Sequence, residues 1–168
     1  MAGSEADSAA GLRRFSGPVL VGVVPRQHPS VLAGAAALAA GLGVGLVCAF
    51  ADPEVYPEVR PDGTVDLLPI DPDAGAAAET ADALVSELQA GLRQVPVAWE
   101  FRHLWGDPAQ ALHRAAEELD ASLIVVGTRE RGLAHRLEER VAGSVAAHLA
   151  HRQQRPVLVV PARDGPAG

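Results

Sequence analysis

Residues 106–132 read GDPAQALHRAAEELDASLIVVGTRERG, and this stretch decides the fold class. An Asp-Pro pair opens a segment at 107–121 whose apolar residues recur at the spacing of one helix face. The run SLIVVG at 122–127 is almost wholly apolar and ends in glycine, which is typical of a parallel strand buried on both faces. A helix that leads into such a strand is half of a β-α-β unit, so the stretch predicts an α/β fold.

The same alternation extends through most of the chain. Strands are predicted at 17–25, 44–51, 95–106, 122–127 and 155–162, with helices at 28–43, 71–94, 107–121 and 143–154. Strict alternation predicts a single-domain, doubly wound parallel sheet of five strands over residues 17–162. We expect a flexible tail at 1–16, a disordered tail at 163–168 and a proline-rich, irregular excursion at 52–70.

Composition narrows the classes of partner. All 14 basic residues are Arg and the net charge is −7, which argues against a nucleic-acid binder, because phosphate contacts need clustered cations. The absence of Lys excludes a Walker-type phosphate loop and Schiff-base chemistry. No apolar run has transmembrane character and the first 16 residues lack the apolar core of a signal peptide. We therefore predict a cytoplasmic protein with no membrane partner.

The reactive side chains do not form a catalytic or metal-binding pattern. The single cysteine, Cys48, lies in an apolar run and is expected to be a buried hydrophobe. His148 and His151 are three positions apart without a third ligand, so we expect them at the surface and predict no metal site. Ser144 follows a glycine, but no base or acid accompanies it. No catalytic residue is predicted and the chain is interpreted as a non-enzyme, with weak nucleotide hydrolysis left open.

Four stretches resemble a known family: PVLVGVV at the first strand, the stretch at 106–132, GSVAAHLAH at the fourth helix and RPVLVVP at the last strand. Through them the chain resembles the universal stress protein family over about residues 17–162. The resemblance implies a Rossmann-like sheet of the adenine nucleotide alpha hydrolase type, with strand order 3-2-1-4-5. It also implies an unknown regulatory partner and a homodimer through the exposed edge of the last strand, at Val157, Leu158, Val159 and Val160.

Many members of that family bind ATP through a G-x2-G-x9-G-[ST] loop after the fourth strand. Glycines let backbone N–H groups approach phosphates, and the start of the following helix favours anions. Gly127 matches the first glycine, and Gly143 and Ser144 match the last pair. If a nucleotide is bound, the resemblance assigns its contacts to Gly127, Thr128, Arg129, Gly132, Gly143, Ser144 and Val145.

The chain departs from this motif at three places. Glu130 stands where the second glycine falls, 15 residues separate Gly127 from Gly143 where the family has 12, and Val24 stands where binders carry an acidic residue. Ordinary ATP binding, binding of a different adenine nucleotide and a vestigial site all remain open, and no cofactor is certain. The predicted function is a non-catalytic, homodimeric stress-response regulator with a degenerate or modified nucleotide loop. The alternative is a sensor that binds ATP, AMP or cAMP at that loop.

Overall fold

The computed structural model describes residues 15–71, 76–128, 142–152 and 154–161. Within those ranges the strands are β1 (Val19–Gly22), β2 (Leu46–Asp52), β3 (Val55–Val59), β4 (Val65–Pro69), β5 (Trp99–Trp105), β6 (Leu123–Gly127) and β7 (Val157–Val160). The helices are α1 (Pro29–Leu42), α2 (Ala76–Leu92), α3 (Pro108–Glu118) and α4 (Ala142–Arg152). The tails predicted at 1–16 and 163–168 lie outside the described residues, apart from residues 15 and 16.

The main sheet has five strands in the order β5-β2-β1-β6-β7, and each neighbouring pair is parallel. Counted among themselves, these strands have the order 3-2-1-4-5, which confirms the predicted fold class. The strand β5 lies at one edge, as its alternation of apolar and polar residues predicts, and β7 lies at the other.

Two apolar layers cover the sheet, one on each face. Successive side chains of β1 point to opposite faces of the sheet, so Val19 and Val21 lie in one layer and Leu20 lies in the other. The first layer joins the sheet to α1 and α2 through residues such as Val31 and Leu84, and the second joins it to α3 and α4. A parallel sheet buried on both faces needs this arrangement, because its central strands β1, β2 and β6 are apolar on both sides.

Local signals fix most of the helix boundaries. Nδ1 of His28 accepts a hydrogen bond from the backbone N–H of Ser30 at the start of α1, and Gly43 ends that helix at φ 67°. At α3, Oδ1 of Asp107 accepts from the N–H of Gln110 at 3.0 Å, as the Asp-Pro pair predicts. The described part of α2 begins at Ala76, so residues 72–75 of the helix predicted at 71–94 lie outside the described ranges.

The segment at 52–70 corrects the sequence prediction of an irregular excursion, because it folds as an antiparallel hairpin of β3 and β4. Asp62 closes the turn by accepting from the N–H of Thr64 at 2.9 Å, and Gly63 takes a φ of 84°. The prolines of this segment argue against strands, because proline cannot donate a backbone hydrogen bond. Pro57 is nevertheless tolerated, because each strand of a two-stranded hairpin has a free edge. The alternating apolar residues of the two strands then fall on one face of the hairpin.

The prediction for Cys48 is confirmed, because its side chain is completely buried in β2. Burial raises the pKa of the Cys48 thiol to about 12, since the thiolate would lose its hydration. Among the described residues, none of the helices combines the length and the apolar character that a membrane span needs.

Candidate functional site

The carboxyl ends of β1 and β6 lie side by side in the middle of the sheet. The two strands pair in parallel, with Val19 opposite Leu123 and Val21 opposite Val125. From β1 the chain continues to α1 on one face of the sheet, whereas α4, which follows β6, packs on the opposite face. Ligands of open α/β sheets bind at such a point, where the strand order reverses. We call the space between these two strand ends the crevice.

The α1 helix lies directly against the end of β6. A Cβ placed on Gly127 would lie 2.7 Å from Cγ2 of Val31 and 3.2 Å from Nε2 of Gln27. The next residue, Thr128, donates its backbone N–H to the carbonyl oxygen of Val160 at 2.9 Å, which keeps the chain beside β7. A glycine is therefore required at 127 by packing, whether or not a phosphate approaches its backbone.

The connection from β1 to α1 forms the other wall of the crevice. A tight turn is closed by a hydrogen bond from the N–H of Gln27 to the carbonyl oxygen of Val24 at 3.2 Å. Pro25 and Arg26 occupy its two central positions, and Arg26 has a φ of 55°. The amide Nε2 of Gln27 donates to the carbonyl oxygen of Gly22 at 3.2 Å. The turn is thus held over the end of β1, next to Gly127.

The structure places part of the predicted nucleotide loop at this crevice. Gly127 is the last residue of β6 and Thr128 follows it directly. Arg129 and Gly132 lie outside the described residues, so their predicted contacts stay predictions. The residue that replaces the expected acid, Val24, has 51% of its surface exposed. Its apolar side chain offers no ligand to a metal ion.

The remaining predicted contacts lie at the start of α4. Gly143 and Ser144 belong to the first turn of that helix, whose amino end is the anion-favouring one. Val145 packs against the apolar layer between the sheet and the helices α3 and α4. We therefore assign the side chain of Val145 to the core, and the nucleotide-binding role of Gly143 and Ser144 stays a prediction.

One buried carboxylate at the same end of the sheet was not predicted. Asp52, which ends β2, is only 5% exposed. Its Oδ1 accepts from the N–H of Glu54 at 2.9 Å, and its Oδ2 lies 3.4 Å from Nε2 of His103, whose ring stacks on Phe50. Its backbone oxygen also accepts from the N–H of Gly106. The position of an acid directly after an apolar run was the signal that could have found it.

Asp52 therefore joins the hairpin to the edge of the sheet. One carboxylate oxygen holds the turn that leads into β3, and the other contacts His103 on β5. Both oxygens have partners within the protein, so this carboxylate is not available to a ligand without breaking those contacts.

A serine and a histidine also meet beside the crevice. Oγ of Ser30 lies 2.8 Å from Nδ1 of His28, but the same nitrogen accepts from the backbone N–H of Ser30. Oγ of Ser30 also contacts the carbonyl oxygen of Pro161 at 3.4 Å. This is the geometry of a helix cap and not of an activated nucleophile, which needs a base free to take its proton. Among the described residues, no group of three or more His, Cys, Asp or Glu side chains could hold a metal ion.

Comparisons with known proteins agree with this fold. The sequence model of the Universal stress protein family matches residues 16–161. The chain is similar to the stress response protein NhaX of Bacillus subtilis, with 28% identity over 82 residues, which are 49% of this chain and 48% of that protein. The matched region thus spans about half the length of this curated relative.

Solved structures show the same architecture. A protein from the universal stress protein family of Burkholderia pseudomallei has a TM-score of 0.61 and 26% identity, over 88% of this chain and 97% of that one. The universal stress protein from Archaeoglobus fulgidus in complex with dAMP has a TM-score of 0.58 and 24% identity, over 86% of this chain and 98% of that one.

Proposed function

The chain belongs to the universal stress protein family, and we propose that it is a stress-response regulator that acts by binding an adenine nucleotide in the crevice and not by catalysis. One observation carries this proposal. The crevice joins the open carboxyl ends of β1 and β6 at the point where the strand order reverses, and the predicted phosphate-binding residues Gly127 and Thr128 lie at its edge.

Two observations support an adenine nucleotide as the ligand: the groups that lie at the crevice, and the ligand bound by a protein of the same fold. The Archaeoglobus protein was solved with dAMP, an adenine nucleotide. In this chain, α4 is the next described element after β6, and its amino end favours an anion. An adenine nucleotide supplies both a phosphate for that end and a base whose flat aromatic face can pack on the exposed side chain of Val24.

Two features support a role in binding without catalysis. Nδ1 of His28 is occupied by the cap of α1, and both carboxylate oxygens of Asp52 hold the hairpin and His103. Neither group is free to act as a general base, because each would first lose a contact that stabilises the fold.

We also propose that the protein is a homodimer through β7. This edge strand exposes 41% of Leu158 and 43% of Val159, together with unpaired backbone groups along its free side. An exposed apolar edge favours association with another strand, and a second copy of β7 supplies one of matching length. The regulatory partner and the location in the cytoplasm remain predictions from the sequence.

The nucleotide proposal is tested by thermal unfolding with ATP, ADP, AMP and cAMP, because a ligand that binds only the folded state raises the melting temperature. We expect a rise of several degrees at millimolar concentration for at least one of them. The variant Gly143→Val should abolish the rise, because a branched side chain at the start of α4 blocks the approach of a phosphate.

The matched control is Gly41→Val, a glycine in the last turn of α1 with open space around it. This variant should keep the response to nucleotide. If none of the four nucleotides shifts the melting temperature of the wild type, the binding proposal is wrong.

A further inference from the structure

The turn between β1 and α1 places a cation at the mouth of the crevice. Arg26 is exposed, and no group within the described ranges forms a hydrogen bond or an ion pair with it. Several other arginines of the described chain are paired, as Arg60 is with Asp66 and Arg155 with Asp120. Arg26 is thus available to a ligand, as far as the described residues show.

Its backbone conformation is costly for an arginine. Pro25 and Arg26 are the central residues of the turn, and the second of these positions has a φ of 55°. Turns with a positive φ at that position favour glycine or asparagine, because a β-carbon is crowded there. Within the described residues the Arg26 side chain forms no hydrogen bond or ion pair that would offset this cost, so its presence needs a different explanation.

The surroundings of Arg26 favour an anion over a metal ion. The neighbouring residue, Gln27, bonds to the carbonyl oxygen of Gly22 and lies against Gly127, which fixes the turn at the crevice. The strands that form the crevice, β1 and β6, carry no carboxylate, and Asp52 at the end of the neighbouring β2 already has protein partners. A protein site for Mg²⁺ usually supplies at least one carboxylate oxygen, and a nearby guanidinium repels the cation.

We propose that Arg26 binds the phosphate of the nucleotide directly and that binding therefore needs no divalent metal ion. A guanidinium group offers paired N–H donors that match two phosphate oxygens, and it stays charged at every physiological pH. Arg26 is thus a specificity-determining residue for a phosphorylated ligand. This inference rests on the proposed function, because it names the group that recognises the phosphate in the same crevice.

The test is calorimetric titration of the whole chain with AMP, ATP and adenosine, each with Mg²⁺ and with EDTA. We expect AMP and ATP to bind equally well in both buffers, and adenosine to bind more weakly. In Arg26→Asn, which suits the positive φ, the affinity for AMP and ATP should fall about 10- to 100-fold. The variant Arg26→Gly should lose as much affinity for AMP and ATP as Arg26→Asn. It should also have a higher melting temperature than the wild type, because glycine adopts the positive φ at this position without the crowding of a β-carbon.

The control Arg93→Asn removes an exposed arginine after α2 and should leave affinity unchanged. If the wild type binds nucleotide and Arg26→Asn binds it equally well, the role of Arg26 is refuted and the proposed function stands. The same holds if EDTA abolishes binding by the wild type. If the wild type binds none of these probes, both proposals fail.

Discussion

A β-carbon at Gly127 would lie 2.7 Å from Cγ2 of Val31, so β6 and α1 are as close together as a glycine allows. Real Cβ atoms are essentially never that close to a neighbouring atom, and Val31 is itself completely buried. The glycine that the sequence motif associates with phosphate binding is therefore already favoured by the packing of β6 against α1.

Gly127→Ala should destabilise the protein, because the added methyl group has no space beside Val31. Inserting one carbon into a packed core typically costs about 1–3 kcal/mol. The free energy of unfolding in urea measures the loss. The double variant Gly127→Ala with Val31→Ala should cost less than the sum of the two single changes, because the smaller residue makes room. Additive losses would show that the two residues do not compete for the same space.

Asp52→Ala should lower the free energy of unfolding by about 1–3 kcal/mol, because it removes the buried acceptor of the Glu54 N–H and the partner of His103. The matched control is Asp66→Ala, which removes a carboxylate from the more exposed pair with Arg60 and should cost at most about 1 kcal/mol. Urea unfolding measures both variants. Equal losses would mean that Asp52 contributes no more than a surface ion pair.

The stability of the protein should fall at alkaline pH because of Cys48. Its pKa is about 12 in the folded state, against an ordinary value of 9.0, so the unfolded chain loses its thiol proton first as pH rises. The contribution of the protonated Cys48 thiol to the free energy of unfolding is complete below pH 9.0. It is lost as the pH rises towards 12, by at most about 1.4 kcal/mol per pH unit. Denaturant unfolding between these limits measures the slope.

The control for this prediction is Cys48→Ala. The variant should be less stable at neutral pH, because it loses buried volume, but its stability should fall less steeply as the pH is raised. All other titrating groups are common to both proteins, so the difference between the two slopes belongs to the thiol. Parallel slopes would contradict the assignment.

Val159→Asp should convert the proposed dimer to a monomer, because it places a charge on the exposed edge strand β7. Light scattering after size-exclusion chromatography measures the mass. The control Val65→Asp makes the same change at an exposed valine of the hairpin and should leave the dimer intact. A dimeric Val159→Asp variant would show that β7 is not the interface.

The sequence by itself determined the order and type of the main elements. Apolar runs such as SLIVVG predict strands buried on both faces, and the Asp107-Pro108 pair predicts where α3 begins, because strand burial and helix capping depend on residues close together in the chain. The hairpin was missed because Pro57 interrupts its alternation, and only the pairing of β3 with β4 shows that a proline fits there.

The tertiary structure alone decided which distant residues meet at the carboxyl ends of the strands. At the crevice, Gly127 meets Val31 and the turn at Arg26 lies beside the end of β6. At the edge of the sheet, Asp52 meets His103, and the members of each pair are far apart in the chain. The motif G-x2-G-x9-G-[ST] describes spacing along one loop and carries no information about such contacts. The sequence therefore predicted the place where we propose that a ligand binds, whereas packing and hydrogen bonding between distant segments determined which of the described side chains already have partners within the protein.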